Sequence, residues 1–330
     1  MPELPEIELY VRALRARVLG QRLLRLQLLS PSLLRTFDPP AASLHGLTVL
    51  GVSRLGKRIV FAFEHELYAV IHLMIAGRLK WLEASPDLQA PARRGGDSAP
   101  ERSRPEAARP DPRAPAAKAP ASGRRKGAHA VLEFPNGRLL LTEAATRKRA
   151  SLHVVQGEAA LGALDRGGLE PLAASLAQFR DALLRESHTL KRALTDPRLF
   201  SGIGNAHSDE ILFRAQLSPA RRTRQLTDEE VARLCRLTRA WLQESVARLV
   251  AETGDRFPEK VTAFHPMHAV HGRYGQPCPV CGSPVQRIVY AQNETNYCAR
   301  CQTGGRLLAD RAFSRLLGGD WPRTLEELEG

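Results

Sequence analysis

No stretch of the 330-residue chain stays apolar for the roughly 20 residues that a membrane-crossing helix needs, so a transmembrane helix is excluded. The N-terminus, Met1-Pro2-Glu3-Leu4-Pro5-Glu6, is acidic and lacks the basic and apolar regions of a secretory signal, and a cytoplasmic location is expected. Cysteine is scarce: five residues, four of them crowded between 278 and 301. In a reducing compartment such a cluster is better explained by a metal than by disulfides. Cys235, alone in an apolar helical pattern, reads as a small buried hydrophobe. Acidic residues fall short of basic ones, 35 against 48, leaving a net charge of +13. That surplus favours a polyanionic partner, nucleic acid or an acidic membrane surface, although a basic solvated surface without a partner gives the same count. No internal repeat is present. The hydrophobic fraction, 43%, is that of an ordinary globular chain, long enough for two domains and an accessory module.

Ile7, Val11, Leu14 and Val18 recur at helical spacing, and Gly20 stands where that helix should stop. Short apolar, β-prone segments follow at 23–29, 47–52, 58–63 and 68–73. Residues 131–134 and 138–141 flank Pro135-Asn136-Gly137, a hairpin signal because Asn and Gly tolerate positive φ. One helix followed by many strands predicts an α+β chain whose first domain, 1–155, is a β-sandwich or barrel. Residues 84–126 interrupt it. They are dominated by Pro, Ala, Arg, Gly and Ser, and bury too little to offset the entropy of ordering, so a disordered insertion is expected there. A helical domain is predicted over 170–262. One helical stretch holds Leu183, Leu184 and Leu190, and another holds 209–215. A third starts at the Thr227–Glu230 capping box and runs through Leu234, Leu237, Trp241 and Val246. A cysteine module occupies 268–310 and a tail 311–330.

Cys278-x2-Cys281-x16-Cys298-x2-Cys301 is two CxxC knuckles at an ordinary separation. Four thiolates in two pairs suit one tetrahedral Zn²⁺ and leave no open position for a catalytic water, so the metal is structural. The pattern is specific for zinc and unspecific for function.

Pro2 is small enough for Met1 to be removed, which exposes a secondary amine. An α-amino group has a pKa near 8, so a usable neutral fraction exists at physiological pH. Such an amine can attack C1′ of a sugar and form an iminium, with Glu3 placed to move protons. Alone, Pro-Glu-Leu-Pro-Glu reads equally as a helix start, with proline and acids in the first turn.

Three motifs in register change the balance. The N-terminal Met1-Pro-Glu-Leu-Pro-Glu-Ile-Glu8 resembles that of the formamidopyrimidine-DNA glycosylase and endonuclease VIII family. Gly202-Ile203-Gly204-Asn205 followed by Ser208-Asp209-Glu210-Ile-Leu-Phe-Arg-Ala215 is similar to its helix–two-turn–helix segment. Tyr297-Cys298-Ala-Arg-Cys301-Gln302 resembles the close of its zinc finger. The resemblance spans nearly the whole chain apart from 84–126 and the tail. It implies an N-terminal β-sandwich with an N-terminal helix, a helix–two-turn–helix domain and a C-terminal zinc finger. It implies a bifunctional glycosylase/AP lyase that excises oxidised bases from double-stranded damaged DNA by Schiff-base chemistry and β,δ-elimination. It also implies one structural zinc, a monomer and a place at the nucleoid. Residue by residue, Pro2 matches the nucleophile, Glu3 the catalytic acid, and Glu6 a carboxylate near the site. Lys57, in Gly56-Lys57-Arg58, matches the hairpin lysine that contacts phosphate near the lesion, and His72 a phosphate-contacting histidine. Asn205 matches an asparagine holding a flanking phosphate, where a Gly-x-Gly-Asn turn offers free N–H groups to an anion.

The chain also departs from the family. Ile75 stands where a methionine fills the gap left by the extruded base, beside Met74. Glu143-Ala-Ala-Thr-Arg-Lys-Arg149 lacks the aromatic wedge, leaving Arg147 or Arg149 to reach the opposite strand. Asn293-Glu294 replaces a finger arginine, a lost phosphate contact of about 1.5–3 kcal/mol. No family pattern is recognisable over 257–269. The alternatives are a zinc-finger protein that recognises lesions or bent DNA without cutting, and an RNA-binding or ribosome-associated module. Both leave the N-terminus unexplained.

Overall fold

The computed structural model describes residues 1–84, 127–290, 293–309 and 322–329. The insertion expected over 84–126 lies outside these residues except for Ala84, as do 311–321 and Gly330 of the expected tail.

The chain opens on α1 (Leu4–Val18). Pro5 sits in the first turn, where its missing N–H costs nothing, and Gly20, at φ 74°, turns the chain away after the helix ends. Ile7, Tyr10, Val11, Leu14 and Val18 form one buried stripe. Two four-stranded antiparallel sheets complete that core. One has the order β1 (Arg25–Leu28), β6 (Ala128–Phe134), β7 (Gly137–Glu143), β5 (Gly77–Glu83). The other has the order β2 (Val49–Leu55), β3 (Arg58–Phe63), β4 (Leu67–His72), β8 (Ser151–Gln156). Leu79, Leu132 and Leu139 from the first sheet and Phe61, Ile71 and Leu152 from the second share the core with α1, so the fold is the expected sandwich. α2 (Glu158–Gly162) and the residues after it cover Val60, Tyr68, Val70 and Val155 on the outer face of the second sheet.

Strands β5 and β8 go beyond the six expected from the sequence. β8 reads Ser-Leu-His-Val-Val-Gln, too polar and short to stand out until its neighbour β4 is known. The β6–β7 turn lies at Pro135-Asn136 as predicted, but for a different reason. Neither Asn136 nor Gly137 takes positive φ. Glycine is required at 137 because a Cβ there would lie 2.5 Å from the Trp81 ring and 2.6 Å from the Leu82 carbonyl oxygen.

A second core gathers Phe179 of α3 (Leu176–Leu184), Leu190 of α4 (Leu190–Thr195), Leu212 of α5 (Asn205–Arg214) and Trp241 of α6 (Asp228–Thr253) with Phe200 from the segment between α4 and α5. The stretch expected to carry Leu183, Leu184 and Leu190 on one helix is two helices. The Thr189 hydroxyl accepts the Arg192 amide and starts α4 afresh, while the His188 carbonyl is taken by the Thr223 amide. α6 begins at the Thr227–Glu230 capping box and runs on to Thr253, with Cys235 buried against the core. The C-terminal module is the hairpin β9 (Val285–Tyr290) and β10 (Asn293–Cys298), then α7 (Ala299–Thr303). A last helix, α8 (Leu325–Glu329), packs Leu325 against Tyr297, Ala299 and Leu307, and so belongs to the finger's packing.

Gly137→Ala is expected to cost about 2 kcal/mol, the usual penalty of overpacking. Urea denaturation checks this, and an unchanged midpoint would mean that the Trp81 ring yields without cost.

Candidate active site

The chain's first residues lie between the two cores. Leu4 is buried in the helical core and Ile7 in the sandwich, so α1 spans the junction. Glu3, 3% exposed, lays its carboxylate on the N-terminus of α5. Oε2 accepts the amides of Gly204 at 2.7 Å and His207 at 3.2 Å, and Oε1 accepts that of Ala206 at 3.0 Å. A helix N-terminus offers unpaired N–H groups and the positive end of the dipole, which is why it holds an anion. Of the turn expected to offer N–H groups to an anion, the Gly204 amide is taken by the protein's own carboxylate, together with those of Ala206 and His207 behind it. This approach demands glycine, because a Cβ on Gly204 would lie 2.4 Å from both the Glu3 carboxyl and Lys57 Nζ. Burial alone would raise the Glu3 pKa, but Lys57, His207 and the amides outweigh it and hold it at about 2. Glu3 is a carboxylate at neutral pH.

Lys57 occupies the two-residue turn joining β2 to β3, with Gly56 at φ 61° and Leu55 paired to Arg58. Arg54 braces this hairpin by donating to Glu8, to Glu170 and to the Gly56 carbonyl. Burial lowers the Lys57 pKa, opposed by Glu3 and Glu6. The Met1 amine is likewise lowered below 8.0, chiefly by burial, with Arg78 and Lys57 adding to it against Glu3 and Glu6. Met1, Lys57, Arg58, His72, Arg166 and Gly202 line a cavity of about 320 Å³. His72 ends β4 between Arg58 and Ser151. Burial, then Arg58 and Lys57, hold its pKa at about 4, so its ring is neutral at pH 7. Asn205 opens α5 and its carbonyl accepts Lys191 Nζ at 2.7 Å.

Ile75 is 54% exposed at the β4–β5 turn, after Met74 at φ 54°. Across a 210 Å³ cleft from it stand Arg147 and Arg149. Their loop hangs on the buried Glu143, whose carboxylate accepts the amides of Arg149 at 2.9 Å and Ala150 at 3.2 Å. The structure thus brings the three expected wedge positions together around one cleft. No motif marked Arg78. It donates to the carbonyls of Ile75 and Gly77, and its charge reaches the N-terminal amine. A lone arginine near a strand start carries no signal of its own.

The Sγ atoms of Cys278, Cys281, Cys298 and Cys301 lie within 4.8 Å of one another, the Cys281–Cys298 pair at 3.4 Å. A disulfide needs about 2.05 Å, whereas tetrahedral Zn–S bonds near 2.3 Å set sulfurs about 3.8 Å apart. Phe213, Val270 and Val285 wall the cluster. The four cysteines fit one zinc as its whole ligand set, and the ion contributes folding energy there. The finger is bonded to α5 by two adjacent carboxylates. Asp209 Oδ2 takes His271 Nδ1 at 2.8 Å and the Asn296 amide at 3.1 Å, while Glu210 takes the amides of Ala269, Val270 and His271, each at 2.9 Å. Sequence reasoning used this pair only as part of a motif; its joining role appears once the finger is folded beside α5. Glu294 accepts from Asn296 Nδ2 at 3.2 Å and stands 4.0 Å from Arg287, so its charge has partners inside the finger. Removing zinc with a chelator is expected to unfold the finger and abolish duplex binding while leaving the sandwich folded. Metal analysis paired with a binding titration checks this, with one zinc per chain expected.

The chain matches the formamidopyrimidine-DNA glycosylase N-terminal domain over residues 1–149, the formamidopyrimidine-DNA glycosylase H2TH domain over 168–255, and the zinc finger found in FPG and IleRS over 275–304. It is 34% identical over 311 residues to a formamidopyrimidine-DNA glycosylase of Thermus thermophilus, covering 92% of this chain and 100% of that one. It is 31% identical over 321 residues to that of Symbiobacterium thermophilum, covering 92% and 89%. The crystal structure of MutM (Fpg) from Thermus thermophilus aligns with a TM-score of 0.68 at 33% identity, over 91% of this chain and 98% of that one. A Lactococcus lactis formamidopyrimidine-DNA glycosylase, non-covalently bound to AP-site DNA, aligns with a TM-score of 0.70 at 24% identity over 91% and 99%, a likeness of fold. A relative 34% identical along its entire length decides the family: the chain belongs to the formamidopyrimidine-DNA glycosylases, zinc-finger enzymes of base excision DNA repair.

Proposed function

We propose that this enzyme is a glycosylase/AP lyase whose nucleophile is the secondary amine of Pro2, exposed when Met1 is removed. The observation that carries this reading is the Glu3 carboxylate, locked on the α5 N-terminus next to Pro2 and Lys57 beside a cation-lined cavity. Burial, Arg78 and Lys57 lower the pKa of the Met1 amine, and the same surroundings one residue on favour the neutral, nucleophilic form of an amine at Pro2. As Pro2 attacks, an N–C1′ bond forms and the base departs with the glycosidic electron pair. The iminium makes the C2′ proton acidic. Its loss expels the 3′ phosphate, and a further elimination expels the 5′ phosphate. Glu3 enters ionised, so it accepts a proton first and donates it second, and the acid role applies to that second step. Lys57, neutral His72 and Asn205 hold phosphates beside the extruded nucleotide. Ile75, Arg147 and Arg149 enter the gap it leaves. The substrate is duplex DNA carrying an oxidised base or an abasic site, and the enzyme acts as a monomer at the nucleoid.

Borohydride trapping on duplexes carrying an oxidised base or an abasic site tests this. The expected adduct maps to Pro2, and Glu3→Gln lowers its rate by about 10²-fold or more. The neutral amine is the reactive form, so the trapping rate rises with pH through the pKa of the Pro2 amine and then levels off. Protein verified to lack Met1 that traps nothing, even at an abasic site, leaves the non-cutting DNA-binding reading. Gly204→Ala is expected to cost about 10²-fold in the same assay, the scale of misplacing a reacting group by 1 Å. A parallel melting curve shows whether the fold survives, and full activity would sink the cradle argument.

A further inference from the structure

Behind Glu3 runs a buried polar chain that the chemistry above does not use. Trp241 on α6 donates its Nε1–H to Nδ1 of His207 on α5 at 3.0 Å. Nε2 of the same ring stands 3.1 Å from Glu6 Oε1, and Glu6 Oε2 accepts the Glu3 amide at 2.7 Å. The His207 amide itself bonds Glu3 Oε2 at 3.2 Å. Glu6 is 2% exposed, and His207 and Trp241 each 1%, so water offers these groups no alternative partner.

An indole nitrogen only donates. Nδ1 of His207 is therefore its lone-pair nitrogen, and Nε2 carries the proton that Glu6 receives. A second ring proton would set Nδ1–H against the indole N–H. The charges facing the ring pull the other way. Against the effect of burial, Glu6 and Glu3 from the N-terminal segment and Glu210 from α5 favour the imidazolium and raise the pKa. His268, from the segment after α6, meets the ring edge-on at 5.8 Å and is itself held neutral, its pKa about 3, by burial and the neighbouring histidines.

We propose that His207 is a positioning residue for Pro2 and Glu3, kept by Trp241 as the neutral Nε2–H tautomer. One residue thereby fixes both ends of Glu3: its carboxylate through the His207 amide, and its backbone amide through the ring and Glu6. A charged ring would add a cation beside Glu3 and draw Glu6 off the Glu3 amide. This inference rests on the assignment of Pro2 and Glu3 above.

Trp241→Phe removes the indole donor and leaves an aromatic ring. In single-turnover trapping at an abasic site, the variant is expected to gain a second acidic limb beyond the one that the Pro2 amine gives wild type. Its rate should be about tenfold below wild type near pH 6 and within about twofold near pH 8.5, with unchanged DNA affinity. This second limb should vanish in Trp241→Phe/His207→Gln, because glutamine supplies a donor and an acceptor but does not titrate. A wild-type pH profile in Trp241→Phe overturns the proposal, as does a second limb that persists in the double variant. If Trp241→Phe fails to fold, single variants decide. His207→Gln should stay within about threefold of wild type and His207→Phe should lose about 10²-fold in rate at constant DNA affinity, whereas equal losses overturn the proposal. Wild-type protein that traps nothing overturns the Pro2 assignment instead, so the two failures are distinct.

Discussion

The rest of the structure depends on one buried carboxylate at one helix end. Glu3 stands at the head of α1, a helix of the sandwich, and its oxygens lie on the first amides of α5, a helix of the second core. Charge-assisted hydrogen bonds of this kind are worth roughly 1.5–3 kcal/mol each before the cost of burying the charge. Their larger effect is geometric. Three donors from one turn of backbone admit one position for the carboxyl group, and Pro2 is the residue next to Glu3 in the chain. The glycine at 204, the lysine at 57 and the seat of Leu4 in the helical core follow from making room for that contact. The place of Pro2 is therefore a consequence of how two domains are joined.

The same junction explains the electrostatics. Lys57, Arg58 and Arg166 crowd one cavity with neutral His72 and a single carboxylate, Asp165, and each of the three cations depresses the proton affinity of a neighbour. A protein surface that leaves cations so close together destabilises itself unless a polyanion arrives, and a phosphate backbone is such a partner. Glu3 is excepted because its own cation and helix amides neutralise it before DNA does. The Met1 amine gains from both sides. Burial and nearby cations favour its neutral form, while the adjacent carboxylates keep that effect from running further.

Much of this was legible in the residues, for reasons that differ by element. α1 and α6 were visible because amphipathic periodicity and capping boxes are local. The zinc cluster was visible because four thiolates at two CxxC spacings have few other uses. The break at 185–189 was not, since Leu183, Leu184 and Leu190 keep an apolar pattern across it and the decisive bond, from the Thr223 amide to the His188 carbonyl, is tertiary. Gly137 was read as a turn glycine, although its real partner is Trp81, 56 positions earlier in the chain. In the site, Pro2, Glu3, Lys57 and Asn205 carried a pattern. The pairings of Trp241 with His207 and of His207 with Glu6 did not, because a buried histidine looks the same in sequence whether it is filler or part of a relay.

α5 shows where side chains are held fast and where they are free. Its N-terminal amides hold Glu3, its third residue His207 holds Glu6, and its fifth and sixth, Asp209 and Glu210, hold the zinc finger. Each of these side chains is closed in by partners from other elements, so a change at any one disturbs two domains. Ile75, Arg147 and Arg149 have no such enclosure. They stand at exposed loop tips, held through backbone bonds to Arg78 and Glu143 that do not depend on which side chain the tip carries. A scaffold that fixes loop backbones while freeing loop side chains permits changes at Ile75, Arg147 and Arg149 without disturbing Glu3 or the residue bonded to it.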